Sequence, residues 1–301
     1  MLRSIKDLEN YAIRASDGII GHVKDVYFDD EAWVVRYLVV ETGAWLSSRR
    51  VLISPIAIGQ PNWTERVLPV SITKEQVKHS PDIDTDKPVS RQQEMQYLGY
   101  YEYPYYWPGD GLFGQGAYPG TTLVGLSSRS SDTEYRKAQA EDDRAAAQTQ
   151  RREDGDPHLR SAKATMKYHI EATDGGIGHV QGLLVDEETW AIRYMVVDTS
   201  NWWIGHQVLI ASQWIHDLSW FAATVSVNLT RQAVKDAPPY DSAVPLDRNQ
   251  EIGLHKHYKR AGYWADEVKL ENPEFRVTRP VSEGAIKKAS DVATPDERFR
   301  R

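Results

Sequence analysis

One segment is written twice in this chain, 157 residues apart, and that duplication constrains the fold more than any other feature. Residues 4–53 return as 161–210 without a gap, and 23 of the 50 positions are identical. Asp17-Gly18 falls on Asp174-Gly175, and Ile20-Gly21-His22-Val23 falls on Ile177-Gly178-His179-Val180. Trp33, Arg36-Tyr37 and Val39-Val40 fall on Trp190, Arg193-Tyr194 and Val196-Val197. The match continues through Gln93-Glu94, Tyr101 and Tyr106-Trp107, which meet Gln250-Glu251, Tyr258 and Tyr263-Trp264. Two copies are too few for a solenoid, whose units need stacked neighbours to bury a core. A repeat of roughly 80–100 residues is long enough for a small core of its own.

Within one copy the pattern is that of short strands between turns. Residues 11–15 end at Ser16-Asp17-Gly18, a turn signal. Residues 20–28 carry apolar side chains at 20, 23, 26 and 28, and Asp29-Asp30-Glu31 follows as a polar turn. Residues 33–40 are rich in β-branched and aromatic side chains, as expected of a strand covered on both faces. Residues 51–53 and 67–72 complete five or six strands, and their spacing predicts an antiparallel barrel, which leaves no open sheet edge. Thr73-Lys74-Glu75-Gln76 has the spacing of a capping box and predicts a short helix to about residue 79. Its counterpart at Thr230 lacks the reciprocal Gln. Second helices are predicted over 90–101 and 247–260.

The D-G-x-x-G-H-V-x-D stretch (17–25), the W-x-x-R-Y-L-V-V strand (33–40) and the V-L-I-S-P strand (51–55) resemble the PRC-barrel family. That family includes the cytoplasmic domain of the photosynthetic reaction centre H subunit, the carboxy-terminal domain of the ribosome maturation factor RimM, and free-standing bacterial double-barrel proteins. The chain is most similar to the last group. The resemblance covers about residues 1–80 and 158–238. It implies a mainly β fold: two small antiparallel PRC-type β-barrels, each followed by a short helical aromatic tail and joined by a polar linker. The expected boundaries are 1–107, a linker over 108–157, 158–264, and a polar tail over 265–301.

The tails are unusual for their rings. The chain has 10 Trp and 16 Tyr against 5 Phe, and residues 97–107 are its densest aromatic run. Tyr and Trp pair an apolar ring with a polar handle and so suit half-wet surfaces. Two readings follow: the rings cover the open end of their own barrel, or they form a docking surface for a partner or a second subunit. The candidate interaction residues are Tyr100, Tyr101, Tyr103, Tyr105, Tyr106 and Trp107, with Trp202, Trp203, Tyr258, Tyr263 and Trp264 from the second copy.

Candidates for chemistry are few. His22 and His179 follow a Gly at equivalent positions, yet no Ser or carboxylate spacing beside them forms a triad. Arg36 and Arg193 lie inside apolar strands, where a guanidinium needs an acid, a ring or a ligand carboxylate. Asp29-Asp30-Glu31 and Asp186-Glu187-Glu188 lack the alternation of a calcium loop and read as solvated hairpin tips. The chain has no cysteine, which excludes disulfides and thiolate sites. A net charge of −7 argues against a general nucleic-acid binder, which needs a basic face. No cofactor and no metal are expected. Without a long apolar run or a signal-peptide core, the chain is expected in the cytoplasm, free or peripheral to the inner membrane. The leading expectation is a non-catalytic interaction or assembly module whose partner is a protein or a second copy, as a homodimer or domain swap. By resemblance, a second is a soluble H-subunit-like accessory factor of photosynthetic electron transfer. A third is a ligand-binding or enzymatic module using His22/His179 and Arg36/Arg193.

Overall fold

The computed structural model describes residues 1–81, 89, 91–104, 106, 159–199, 207–219 and 221–265. The expected linker over 108–157, most of the tail over 265–301, and Tyr105, Trp107, Trp202 and Trp203 lie outside the described residues. Met1–Tyr258 forms one compact unit, and Lys259–Arg301 forms a second. No helix among the described residues is long and apolar enough to cross a membrane.

The fold is mainly β. In the amino-terminal half the strands are β1 (Leu2–Ser4), β2 (Ala12–Ala15), β3 (Gly18–Asp29), β4 (Val34–Thr42), β5 (Arg50–Ile53) and β6 (Val67–Pro69). The carboxy-terminal half contributes β7 (Leu159–Ser161), β8 (His169–Ala172), β9 (Gly175–Asp186), β10 (Ile192–Asp198), β11 (Gln207–Ala211), β12 (Ile215–Ser219) and β13 (Thr224–Val227). Helices α1 (Lys74–His79) and α2 (Arg91–Tyr100) follow the first set. In the second half, α3 (Ala162–Thr165) follows β7, and α4 (Arg231–Lys235) and α5 (Arg248–His257) follow the last strand. One sheet runs β5-β4-β3-β2-β6 and the other β11-β10-β9-β8-β13-β12.

Two features depart from an antiparallel barrel. β2 pairs with β6 in parallel, and β8 with β13 likewise. Each hydrogen-bonded path also stays open, since no described pairing joins its two end strands. The connection back to β6 runs through the 3-10 turn Pro55–Ala57 and a loop, and it brings the last strand in alongside the first rather than against it.

The strand β3 shows how the sequence makes the curve. Its inward residues Ile20, Val23, Val26 and Phe28 are each at most 1% exposed. The step from 23 to 26 is odd for a period of two; a register shift between Val23 and Asp25 absorbs the extra residue. The equivalent strand β9 of the second half shifts at the matching place, between its pairings with Val196 and Val197. Gly21 is required by contact: a Cβ there would lie 2.0 Å from the Glu41 carbonyl oxygen. Gly178 would meet Asp198 at the same 2.0 Å.

The two halves exchange strands. β1 adds to the edge of β9, with Leu2 opposite Asp186 and Ser4 opposite Leu184. Reciprocally, β7 adds to β3, with Tyr27 opposite Ser161 and Asp29 opposite Leu159. Each added strand has the sequence Leu-Arg-Ser. Between them Val34 bridges Ala191; Val35 N–H donates to the Trp190 carbonyl (2.9 Å), and Ile192 N–H to the Trp33 carbonyl (2.7 Å). Trp33 and Trp190 hold left-handed backbone (φ 54° and 62°), which costs a bulky residue roughly 1–2 kcal/mol and persists only where its surroundings enforce it. Each turns its carbonyl onto the other half.

The acidic hairpin tips are only partly solvated, which corrects the sequence reading: Glu31 and Glu188 are exposed, whereas the acids beside them are engaged. Asp29 is 7% exposed; its Oδ1 accepts from the N–H groups of Glu31 and Ala32, and its Oδ2 from Arg36. Asp30 pairs with Arg160 of the added strand at 2.5 Å, both side chains at most 9% exposed. Glu187, 157 positions on, pairs with Arg3 at 2.7 Å. The tips are acidic because each receives the arginine of the strand from the other half.

Candidate functional site

A polar cluster grows from the packing of α2 on its own sheet. Thr73 and Gln76 form the predicted capping box of α1, and Asp17 of the preceding turn caps the same helix by accepting from Lys74 N–H (2.8 Å). Asp174 does the same for Arg231 at the head of α4, where Thr230 caps Ala233 N–H alone. Sequence spacing marked these aspartates as turn residues and missed the cap, because the helix they cap lies 57 positions away.

From α2, Tyr97 and Leu98 enter a cluster with Tyr27, Tyr37, Val39, Leu52, Val89 and Leu159; Tyr101, Tyr103 and Tyr106 pack on its rim. Leu159 belongs to the added strand β7, so the aromatic tail of one half closes over the strand supplied by the other. Tyr97 meets Tyr37 edge-on at 5.2 Å and its hydroxyl accepts from Ser54 N–H. Buried Glu94 (2% exposed) accepts from the Tyr37 hydroxyl at 3.2 Å and also from the Tyr106 hydroxyl. Arg36 lies under Tyr106, its guanidinium carbon 3.8 Å from the ring centroid, and pairs with Asp29. One continuous contact therefore runs Glu94–Tyr106–Arg36–Asp29, joining helix, tail, strand and hairpin tip.

The second half repeats the scheme with different donors. The Tyr194 hydroxyl donates to Glu251 Oε2 (2.9 Å), and His255 Nε2 lies 3.0 Å from the Tyr194 hydroxyl oxygen. A hydroxyl has one proton, so the imidazole Nε2 carries the other and donates to the tyrosine. Trp214 packs against His255 and Tyr258. Arg193, buried, lies 3.8 Å from Asp186.

Burial shifts the phenols. It raises Tyr37, with the Glu94 charge second, and raises Tyr97, Tyr101 and Tyr258 in the same direction. It pushes Tyr103 up to about 12. Asp25, in the bulge of β3, is also raised by burial, against hydrogen bonds from Ser161 Oγ (2.5 Å) and the N–H groups of Val26 and Lys163. A shallow cleft beside it is lined by Lys24, Asp25, Tyr27, Val39, Arg50 and Lys163.

The remaining candidates are dispersed. His22 is exposed on β3, opposite Glu41; His179 on β9 lies 3.7 Å from Asp198. Neither joins the tyrosine clusters. Tyr100 is 38% exposed and donates to the Gln76 carbonyl (2.7 Å). In the second unit, the Tyr263 and Trp264 rings meet edge-on at 5.1 Å. Among the described residues no group of three or more acidic or histidine side chains is placed to hold a metal.

A family model described as PRC-barrel domain matches residues 2–77, so a PRC-barrel domain occupies that part of the chain. No curated protein matches the chain.

Proposed function

We propose that this chain is a non-catalytic protein-interaction or assembly module built on two PRC-type barrels in tandem. The PRC-barrel domain over residues 2–77 carries the reading. Its extension to the second half rests on strands of equal length at the 157-residue offset, β3 over Gly18–Asp29 and β9 over Gly175–Asp186. The use of the buried polar residues supports it further. Arg36 pairs with Asp29 and stacks on Tyr106, and Tyr37 donates to Glu94, so these residues fasten tail to sheet.

The exposed rings are then available to a partner. Phe221, at the tip between β12 and β13, is fully exposed at 100%. A large apolar side chain held in water at a turn suits insertion into a pocket of another protein. The test is cross-linking in the native cell followed by reciprocal capture. A partner recovered in stoichiometric amount, and lost with Phe221→Ser at unchanged melting temperature, is the expected result. Recovery of no partner, or capture indifferent to Phe221, would count against the module or against this face of it respectively.

A further inference from the structure

We infer that the two halves of the chain are complementary partners that hold each other without the connection between them. The surface is the outer edge of β3 with its hairpin tip, and its counterpart on β9; the partner each fits is an extended Leu-Arg-Ser strand with the turn that follows it. This is strand addition, in which main-chain hydrogen bonds give affinity and side-chain contacts give choice.

Three observations carry it. First, the exchange is reciprocal: β1 leaves the amino-terminal half for β9, and β7 leaves the carboxy-terminal half for β3. Neither sheet is complete without a strand encoded far away in the chain, as the separations of 184 for Arg3–Glu187 and 130 for Arg160–Asp30 show. Second, each added strand is anchored by its arginine on an acid of the other half, Arg160 on Asp30 and Arg3 on Glu187. Third, apolar burial backs the polar contacts. Leu159 is 6% exposed inside the tyrosine cluster of the other half.

The two receiving edges differ. Asp25 takes hydrogen bonds from Ser161 and Lys163 beside β7, whereas the equivalent position beside β1 is Gly182, which has no side chain to accept them. The Arg160–Asp30 pair is also buried more deeply, at 5% and 9% exposure against 27% and 18% for Arg3–Glu187. The grip on β7 is therefore the stronger of the two.

The test uses the full chain with a protease recognition sequence inserted within residues 108–157, cut to completion after purification. Native mass spectrometry of the cut protein should give the mass of one amino-terminal and one carboxy-terminal fragment together. Separate fragments, like-with-like pairs or precipitation on cutting would each overturn the inference. In the cut protein, Arg160→Ala should weaken the association of the halves by about tenfold or more, since it strands a buried carboxylate. Arg3→Ala should weaken it less, in keeping with its wetter pair. Equal indifference to both substitutions would overturn the assignment of these strands as the grip.

Discussion

At the scale of single residues, Asp25 is the most instructive charge in the molecule. Burial raises its carboxyl despite three hydrogen bonds, so the folded chain holds the proton more tightly than the unfolded chain does. The contribution of a raised acid is fully present below its unfolded value of about 3.9 and is lost as pH rises through the folded value. Asp25→Asn keeps an acceptor for Val26 and Lys163 and loses the buried charge. Urea midpoints across a pH series should therefore show the Asn variant gaining on the natural protein as pH rises through that window. A gap that stays constant with pH would refute the sign. Glu94 behaves in the opposite way on removal. Glu94→Ala removes the acceptor of the buried Tyr37 hydroxyl and of the partly buried Tyr106 hydroxyl, at a cost of about 3 kcal/mol, whereas Tyr37→Phe removes one donor for about 1–2 kcal/mol. Chemical denaturation of both variants measures the difference. The pairing of Arg36 with an acid and a ring was legible from its place in an apolar strand; that the acid is Asp29 was not, because seven positions of separation become neighbours only across the hairpin.

At the scale of elements, the aromatic tail and the bulged strand set the limits of tolerance. Gly21→Ala forces a methyl into the Glu41 carbonyl, and backbone cannot step aside as a flexible side chain can. We expect a loss of about 3 kcal/mol or more, read as a lower melting temperature, from overpacking of this kind. The tail carries phenols whose ionisation is suppressed by burial, with Tyr103 pushed up to about 12. Their stabilising effect is complete below the ordinary phenol value of about 10 and is lost as pH rises toward the folded values. Phenolate absorbance during alkaline titration should show exposed tyrosines ionising first and the tail tyrosines only together with loss of structure. The helix α1 and its Thr73–Gln76 capping box could be read from sequence because that capping is local chemistry, whereas the caps from Asp17 and Asp174 could not. The strands could be read because β-branched runs are. The parallel pairing of β2 with β6 could not, since nothing in either strand records which neighbour lies beyond the turn.

For the molecule as a whole, the compact unit runs from Met1 to Tyr258 and ignores the boundary between repeats. Duplication was plain in the sequence, but it suggested two cores side by side. The exchange of strands was hidden because Leu-Arg-Ser is too short and too ordinary to advertise a partner, and the acids that receive it look like any polar turn. The consequence for stability is testable. Ile53 is fully buried in the amino-terminal half, and Ile53→Ala should cost about 2–5 kcal/mol. Calorimetry should show one transition moving down as a whole; a second transition left at the original temperature would mean that the halves unfold independently.

The reciprocal strands also change what the protein presents to the outside. A pair of identical subunits related by a two-fold axis carries every substitution twice and so shows the same face on both sides. In one continuous chain each side varies alone: Asp25 stands where Gly182 does, Leu98 where His255 does, and Ser54 where Ala211 does. The unit from Met1 to Tyr258 thus repeats one pattern of strand addition with unlike side chains at its two edges. Any one of these unlike positions is found once per molecule, where a two-fold pair would offer it twice.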